Sequence, residues 1–92
     1  MDLSQLEAVL RSRLVDPPPD SYSATLVSDP ERAARKVMEE SFELCVELGR
    51  QPVDRDRVVS EAADALFHIL AALVGAGVSV GEVLGELERR AR

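Results

Sequence analysis

Two short acidic runs are the part of this chain whose residue types and spacing suit a chemical task. The first run holds Glu39, Glu40 and Glu43, and the second holds Glu61 and Asp64. Residues three or four apart share one face of an α-helix, so each run should present its carboxylates side by side. Like charges at this spacing destabilise a helix, which favours a cation bound where the two runs converge. Because no histidine or cysteine cluster offers softer ligands, the expected cation is Mg²⁺.

The segments that must position these acids have the pattern of helices. Every proline falls in one of three breaks, and the segments between the breaks repeat apolar residues at spacings of three and four. Capping residues, an early proline and a capping-box pattern mark the helix starts. The sequence therefore predicts an all-α, four-helix bundle-like fold, with helices from Asp2 to Asp16, from Asp29 to about Leu48, from about Asp54 to between Gly75 and Gly77, and from Val80 to about Arg90.

Residues 20–28 differ from the rest because they are polar, rich in hydroxyl groups and without a clear helix start. We expect an ordered or ligand-contacting loop here, with a short strand as the alternative. Tyr22 and Ser23 lie in this segment, where they would touch the base or the ribose of a nucleotide or simply pack within the loop.

A length of 92 residues limits the chain to a single small domain, residues 1–92. Hydrophobic residues make up 46% and charged residues 30%, and 11 basic against 17 acidic residues give a net charge of −6. A net-negative surface disfavours nucleic acid and anionic membranes as partners. The longest apolar stretch is too short to span a bilayer, and the first residues lack the pattern of a signal peptide. We expect a cytoplasmic protein, and its one cysteine, Cys45, fits a reducing compartment.

Self-association is expected from the distribution of apolar residues. Residues 55–76 carry them on more than one face, and four short helices bury limited area. A homodimer or higher homo-oligomer would cover the second face, and the alternative is a monomeric bundle in which that face meets the first helix. Cys45 falls on the apolar stripe of the second helix, so we expect it in the core.

The acidic runs and several other stretches resemble those of a known enzyme family. Glu39-Glu40-x-x-Glu43, seventeen intervening residues and Glu61-x-x-Asp64 are similar to the EExxE…ExxD signature of the MazG-like all-α nucleoside triphosphate pyrophosphohydrolases. Within that superfamily the chain most resembles the phosphoribosyl-ATP pyrophosphohydrolases of histidine biosynthesis. The resemblance covers residues 21–90, and its matching stretches are residues 21–26, 35–40, 61–68 and 83–90.

The resemblance implies hydrolysis of phosphoribosyl-ATP to phosphoribosyl-AMP and pyrophosphate, with Mg²⁺ required. A triphosphate makes the same demand, because its charge must be neutralised and a water molecule positioned. The expected metal ligands are Glu40, Glu43, Glu61 and Asp64. Glu39 is a fifth ligand or orients or deprotonates the attacking water, so the expected catalytic residues are Glu39 and Glu43.

Four further residues are expected to bind the substrate, a small-molecule nucleotide: Lys36, Tyr22, Ser23 and His68. Lys36 shares the helix face of Glu39 and Glu40, so it either donates to a phosphate or forms only an intrahelical ion pair. His68 follows Asp64 by four residues, which places it to hydrogen-bond that residue, to reach substrate or to do neither.

Two other functions remain open from the sequence. One is a house-cleaning pyrophosphohydrolase that removes non-standard or excess nucleoside triphosphates, which substrate preference would separate from the first. The other is a non-catalytic helical dimer whose acids are solvated or bind a structural ion, and such a protein would release no pyrophosphate with any metal.

Overall fold

The computed structural model describes all residues from 1 to 92, and it contains helices but no strands. Five α-helices follow one another: α1 (Leu3–Val15), α2 (Tyr22–Val27), α3 (Pro30–Leu48), α4 (Arg55–Gly75) and α5 (Val80–Arg90). The side chain before each helix accepts a hydrogen bond from the backbone amide three residues on, and these capping residues are Asp2, Ser21, Asp29, Asp54 and Ser79. The all-α prediction is confirmed, and the four expected helices are α1, α3, α4 and α5.

The segment predicted as a loop instead contains α2, so the fold has five helices rather than four. Its hydroxyl groups bond to the helix's own backbone: Ser21 Oγ accepts from the Ala24 amide at 3.2 Å, and Ser28 Oγ donates to the Ala24 carbonyl at 2.7 Å. Such side chains usually compete with helix formation, but here they cap both ends of the helix. Burial of Leu26 and Val27 then holds the short helix against the bundle.

The apolar core lies where α1, α2 and α4 meet the start of α5. It is formed by Leu10, Leu26, Val27, Leu70, Ala71, Val74 and Val80. Gly75 allows the end of α4 to approach α2, since a Cβ at this position would lie 2.8 Å from the Val27 carbonyl oxygen. Only 12 of the 92 residues are buried, so a single chain has a small core.

The end of α4 agrees with the prediction. Gly77 has a φ of 75°, a left-handed conformation that glycine adopts without steric cost. The Val78 amide then donates to the Leu73 carbonyl at 3.0 Å, which satisfies one of the last carbonyls of the helix. The chain turns sharply here and enters α5.

On α3, two acidic residues are buried against the rest of the bundle, while two large apolar residues are exposed. Glu40 and Glu47 are 8% and 3% exposed, whereas Met38 and Phe42 are 72% and 69% exposed. The prediction that Cys45 lies in the core was wrong, because its side chain is exposed. The face of α3 that meets α4 carries the carboxylates, and the side with Met38, Phe42 and Cys45, here called the exposed stripe of α3, is open in the single chain.

α4 is long and apolar enough to cross a membrane when judged by length and composition alone. The sequence prediction differed because it considered only the longest uninterrupted apolar stretch. In the fold, α4 packs against α1, α2 and α3, and the core helix of a globular domain passes the same test. Only 28% of its most apolar window is buried, so much of that surface is open in one chain.

Candidate functional site

A row of polar residues, here called the polar seam, follows the line where α3 meets α4. Its members are Lys36, Glu40, Glu43 and Glu47 on α3, and Arg57, Glu61, Asp64 and His68 on α4. They recur at three or four residues, so each set shares one helix face. Glu47 meets Arg57 and Glu40 meets Glu61, which shows that the two helices are antiparallel.

Three carboxylates converge in the middle of the polar seam, and we call them the carboxylate cluster. Glu40, Glu43 and Glu61 each contribute one oxygen, and these oxygens lie within 4.8 Å of one another. Oε2 of Glu40 and Oε2 of Glu61 are both buried without a hydrogen-bond partner. Burying carboxylate oxygens without partners costs free energy. The donor set is therefore suited to a cation that prefers oxygen ligands.

Lys36 lies one turn before the carboxylate cluster and is tied to two acids of the same helix. Its Nζ donates to Glu39 Oε2 at 3.0 Å and lies 3.5 Å from Glu40 Oε1. The hydrogen bond to Glu39 is the main cause that raises the pKa of Lys36, and the charges of Glu39 and Glu40 add to it. Lys36 is therefore a positive charge at the edge of an acidic site.

The structure brings together three of the four predicted metal ligands. Asp64 is exposed and does not belong to the cluster of Glu40, Glu43 and Glu61. It lies one turn beyond Glu61 on α4, and its ligation of a metal stays a prediction. Of the two predicted catalytic residues, Glu43 belongs to the cluster, and Glu39 bonds to Lys36 just outside it.

α2 reaches the polar seam through Tyr22. Tyr22 Oη lies 2.8 Å from His68 Nε2, and His68 Nδ1 lies 2.7 Å from the backbone oxygen of Asp64. His68 is buried while Tyr22 is 46% exposed. Ser23 Oγ bonds with Ser21 Oγ at 3.1 Å, beside the start of α2. Contacts of Tyr22, Ser23 and His68 with substrate stay predictions.

Arg32 adds a second cation on the same side of the molecule. Its guanidinium carbon lies 6.0 Å from the centre of the Tyr22 ring, within reach of a cation–π contact. No carboxylate forms an ion pair with Arg32, and it lies one helical turn before Lys36. α3 therefore presents two cations followed by the carboxylate cluster, an order that suits a phosphate chain.

A second acidic site on the polar seam was missed from the sequence. Glu47 is 3% exposed, and its Oε1 lies 3.0 Å from Arg50 Nε and 3.2 Å from Arg57 Nε. Spacing was the available signal, because Glu47 follows Glu40 by seven residues and Arg57 precedes Glu61 by four. Both residues therefore continue the helix faces that carry the carboxylate cluster.

The surface grooves of a single chain lie away from the carboxylate cluster. One lies between the end of α1 and α2, and another is lined only by apolar residues: Leu3, Leu66, Ile69, Leu70, Leu73, Val80, Val83, Leu84 and Leu87. None of the grooves is lined by Glu40, Glu43 or Glu61. Glu43 is exposed whereas Glu40 is buried, so in one chain the cluster is open on the side of Glu43.

Comparison with known proteins finds full-length relatives. The family model described as phosphoribosyl-ATP pyrophosphohydrolase matches residues 3–91. A Methylobacterium nodulans protein named phosphoribosyl-ATP pyrophosphatase is 42% identical over 89 residues, which cover 96% of this chain and 81% of the relative. A relative of the same name from Ignicoccus hospitalis is 44% identical over 91 residues, 98% of this chain and 87% of its own. One from Pyrobaculum aerophilum is 45% identical over 87 residues, with 94% and 90% covered.

Proposed function

The chain belongs to the phosphoribosyl-ATP pyrophosphohydrolase family, and we propose that it hydrolyses phosphoribosyl-ATP to phosphoribosyl-AMP and pyrophosphate in histidine biosynthesis. The observation that carries this proposal is the carboxylate cluster, with three acids whose oxygens lie within 4.8 Å of one another. Two of these acids, Glu40 and Glu61, each have a buried oxygen without a protein partner. An enzyme that hydrolyses a nucleoside triphosphate needs such an acidic site, together with cationic side chains that bind the phosphates.

The donor set of the carboxylate cluster fits Mg²⁺. All its ligand atoms are carboxylate oxygens, and hard divalent cations prefer these over nitrogen or sulfur. Glu40, Glu43 and Glu61 would hold the ion, with Asp64 one turn further along α4 as the fourth proposed ligand. Bound there, Mg²⁺ supplies charge neutralisation for the phosphate chain.

The cations of α3 would orient the phosphate chain. Lys36 and Arg32 lie one turn apart and precede the carboxylate cluster along the helix. Lys36 is held by Glu39 at 3.0 Å, and this bond keeps its ammonium group beside the cluster while leaving donors for a phosphate oxygen. Arg32 offers a planar guanidinium suited to a second phosphate contact.

Hydrolysis also requires a base near the attacked phosphorus. The water oxygen forms a bond to phosphorus, the anhydride P–O bond breaks, and the electron pair leaves with the departing phosphate group. The proton of the water passes to a carboxylate within hydrogen-bond reach. Glu43, exposed at the rim of the cluster, and the neighbouring Glu39 are the two candidates for this acceptor.

We also propose that two copies of the chain form a homodimer. The exposed stripe of α3 carries Met38 and Phe42, and the groove formed by α1, α4 and α5 is lined by apolar residues alone. Large exposed apolar patches mark association surfaces, and a second copy would also close the open side of the carboxylate cluster.

Cys45 provides a test of the homodimer because it is the only cysteine and lies on the exposed stripe of α3. Light scattering should give the mass of two chains, and the rate of thiol modification should rise when dilution dissociates the dimer. A monomeric mass with the same thiol reactivity at every concentration would exclude this surface as the interface.

We propose that the enzyme binds small nucleotides as substrates and that it is located in the cytoplasm. The net charge of −6 opposes binding to the phosphate backbone of a nucleic acid. The exposed thiol of Cys45 is suited to a compartment in which cysteines stay reduced.

The direct test of the activity is pyrophosphate release from phosphoribosyl-ATP and from a panel of nucleoside triphosphates, each with Mg²⁺ and with EDTA. We expect Mg²⁺-dependent release from phosphoribosyl-ATP and little release from the panel. Release mainly from the panel would preserve the chemistry and change the substrate to that of a house-cleaning enzyme. Folded protein without activity on any substrate would contradict the proposal.

A further inference from the structure

The hydrogen bonds that connect Asp64, His68 and Tyr22 have a single possible direction when the His68 imidazole is neutral. The Asp64 backbone oxygen can only accept a hydrogen bond, so His68 Nδ1, 2.7 Å away, must carry the proton that it receives. In a neutral imidazole the other nitrogen, Nε2, then has a lone pair and no hydrogen. The Tyr22 hydroxyl, 2.8 Å from Nε2, is therefore the donor in that contact.

This direction decides what Tyr22 can still bind. A tyrosine hydroxyl has one hydrogen, and in Tyr22 this hydrogen is used on His68. The lone pairs of the oxygen remain, and the side chain is 46% exposed. A ligand group that bonds to this oxygen must then be a hydrogen-bond donor, whereas an ionised phosphate oxygen can only accept.

The aromatic surroundings keep this arrangement in place. The Tyr22 ring stacks on Phe67 with centroids 6.4 Å apart, and the Phe67 and His68 rings form a T-shaped pair with centroids 5.1 Å apart. His68 is only 6% exposed, so it has no open surface for a ligand. Tyr22 lies beside Arg32, at the end of the cationic stretch that precedes the carboxylate cluster.

We propose that Tyr22 is a specificity-determining residue that accepts a hydrogen bond from a hydroxyl or amino group of the nucleotide, and that His68 is a positioning residue that sets this polarity through the Asp64 carbonyl. The inference rests on the proposed function and refines it by separating two kinds of substrate contact. Arg32 and Lys36 contact the phosphates, while the Tyr22 hydroxyl accepts a hydrogen bond from the sugar or the base. His68 acts through Tyr22 and does not touch the substrate.

The tautomer of His68 can be measured without any activity assay. His68 is the only histidine of the chain, so ¹⁵N NMR of the imidazole gives one unambiguous pair of signals. We expect the hydrogen on Nδ1 and none on Nε2, with the Nε2 signal changed in Tyr22→Phe. A hydrogen on Nε2, whether or not Nδ1 also carries one, would overturn the proposed direction.

Two substitutions of His68 separate its two hydrogen bonds. In His68→Gln the side-chain amide can replace Nε2 as the acceptor for Tyr22, while in His68→Asn it can replace only the Nδ1 donor to Asp64. We expect Tyr22→Phe to raise KM for the nucleotide by about threefold to tenfold with kcat little changed, as for one lost hydrogen bond. His68→Asn should raise KM similarly, and His68→Gln should restore it toward the wild-type value.

The double variant tests the coupling between the two residues. If His68 acts through the Tyr22 hydroxyl, Tyr22→Phe combined with His68→Asn should raise KM no more than either change alone. Additive effects on KM would contradict the coupling. Ser28→Ala is the matched control, because it removes a hydroxyl at the end of α2 that bonds to the Ala24 carbonyl and to neither Tyr22 nor His68, and we expect its KM to be unchanged.

Two substrate analogues identify the donor group. One has a ribose hydroxyl replaced by hydrogen, and the other has the amino nitrogen of the base replaced by oxygen. Tyr22→Phe should discriminate less than the wild type against whichever analogue lacks the group that Tyr22 reads. Unchanged discrimination against both analogues, with an unchanged KM, would overturn the proposal and leave Tyr22 with a purely structural role.

Failure of this inference differs from failure of the proposed function. An active wild-type enzyme whose KM does not respond to Tyr22→Phe would remove only the role given to Tyr22 and His68. A folded wild-type protein that releases no pyrophosphate from any nucleotide would remove the proposed function, and the tautomer measurement would still report the hydrogen-bond direction. Far-ultraviolet circular dichroism of each variant establishes that the helices are intact.

Discussion

Two carboxylate sites between the same pair of helices differ in what surrounds them. Glu47 bonds to Arg50 and Arg57 at 3.0 Å and 3.2 Å, so its charge is balanced within the chain. Glu40 and Glu61 lie next to Glu43, and each has a buried oxygen without a partner. The first site has its own cations, whereas the second has carboxylate oxygens without protein partners.

Helix spacing alone does not distinguish these two sites. Glu40 and Glu47 are both acidic, both buried and both on the face of α3 that meets α4. The difference comes from α4, which offers Arg57 to one residue and Glu61 to the other. A buried acid is therefore better identified as a ligand site by the charges that face it than by its own type.

The largest effect is expected from a substitution that removes a charge from the carboxylate cluster but keeps the shape of the side chain. Glu61→Gln removes one charge and one ligand oxygen, and we expect pyrophosphate release to fall at least about a hundredfold, equivalent to several kcal/mol of transition-state stabilisation. Steady-state assays at saturating Mg²⁺ would measure the loss. Glu31→Gln, an exposed acid of α3 outside the seam, is the control and should keep its activity. A fully active Glu61→Gln enzyme would exclude the cluster from the reaction.

The opposite result is expected at the balanced site. Glu47→Ala leaves two guanidinium groups without their shared acceptor and should lower the free energy of unfolding by about 1–3 kcal/mol. The loss is at the lower end of what buried pairs give, because the side chains of Arg50 and Arg57 are 56% and 60% exposed. Urea denaturation would measure it. Activity well below the unfolding transition should stay within about twofold, and a specific loss of kcat would assign Glu47 to the site instead.

Mg²⁺ should stabilise the wild-type chain through the cluster alone. At ten to a hundred times its Kd, an ion that binds only the folded state adds about 1–3 kcal/mol, seen as a higher Tm. Glu47→Gln should keep this Mg²⁺-dependent rise, and Glu40→Gln should lose most of it. In EDTA, Glu40→Gln should be at least as stable as the wild type, because one repulsive charge is gone. An equal Mg²⁺-dependent rise of Tm in both variants would contradict the difference between the two sites.

The smallest effect is expected at Glu82, whose carboxylate belongs to the capping box at the start of α5. The Ser79 backbone amide donates to Glu82 at 2.8 Å, and this bond, followed by one with the Ser79 side chain, lowers the pKa of Glu82 below its usual 4.5. Its contribution to stability is therefore present above the unfolded-state value and lost as the pH falls through the lower folded-state value. Glu82→Gln should be slightly less stable than the wild type near neutral pH, and thermal unfolding should show the difference vanishing in acid. A constant difference at every pH would contradict the ionic origin of the effect.

Much of the fold was predictable because its signals are local. Capping residues such as Asp29 and Ser79 lie a fixed distance before their helices, and the spacing of Glu40 and Glu43 sets their common face without any tertiary information. These features placed four of the five helices and three of the acids in the cluster. α2 was not predicted because its serines can either break or cap a helix, and only the burial of Leu26 and Val27 decides between them.

The remaining features depend on how α3 is rotated against α4. Sequence periodicity alone put the apolar stripe with Cys45 inward, but the observed rotation places Glu40 and Glu47 inward. The partnership of Glu47 with Arg57 depends on the same rotation, as does the bond between Tyr22 and His68, which joins residues 46 positions apart. No local pattern contains that information.

The positions of Glu40 and Glu47 limit where the length of this chain can change. They lie seven residues apart, or about two helical turns, and both must face α4 at once. Deleting or inserting one residue between them would rotate everything beyond by about 100° and separate either the cluster or the Glu47–Arg57 pair from its partners. Insertions and deletions should therefore be tolerated in the connection at residues 51–53 and not within residues 40–47.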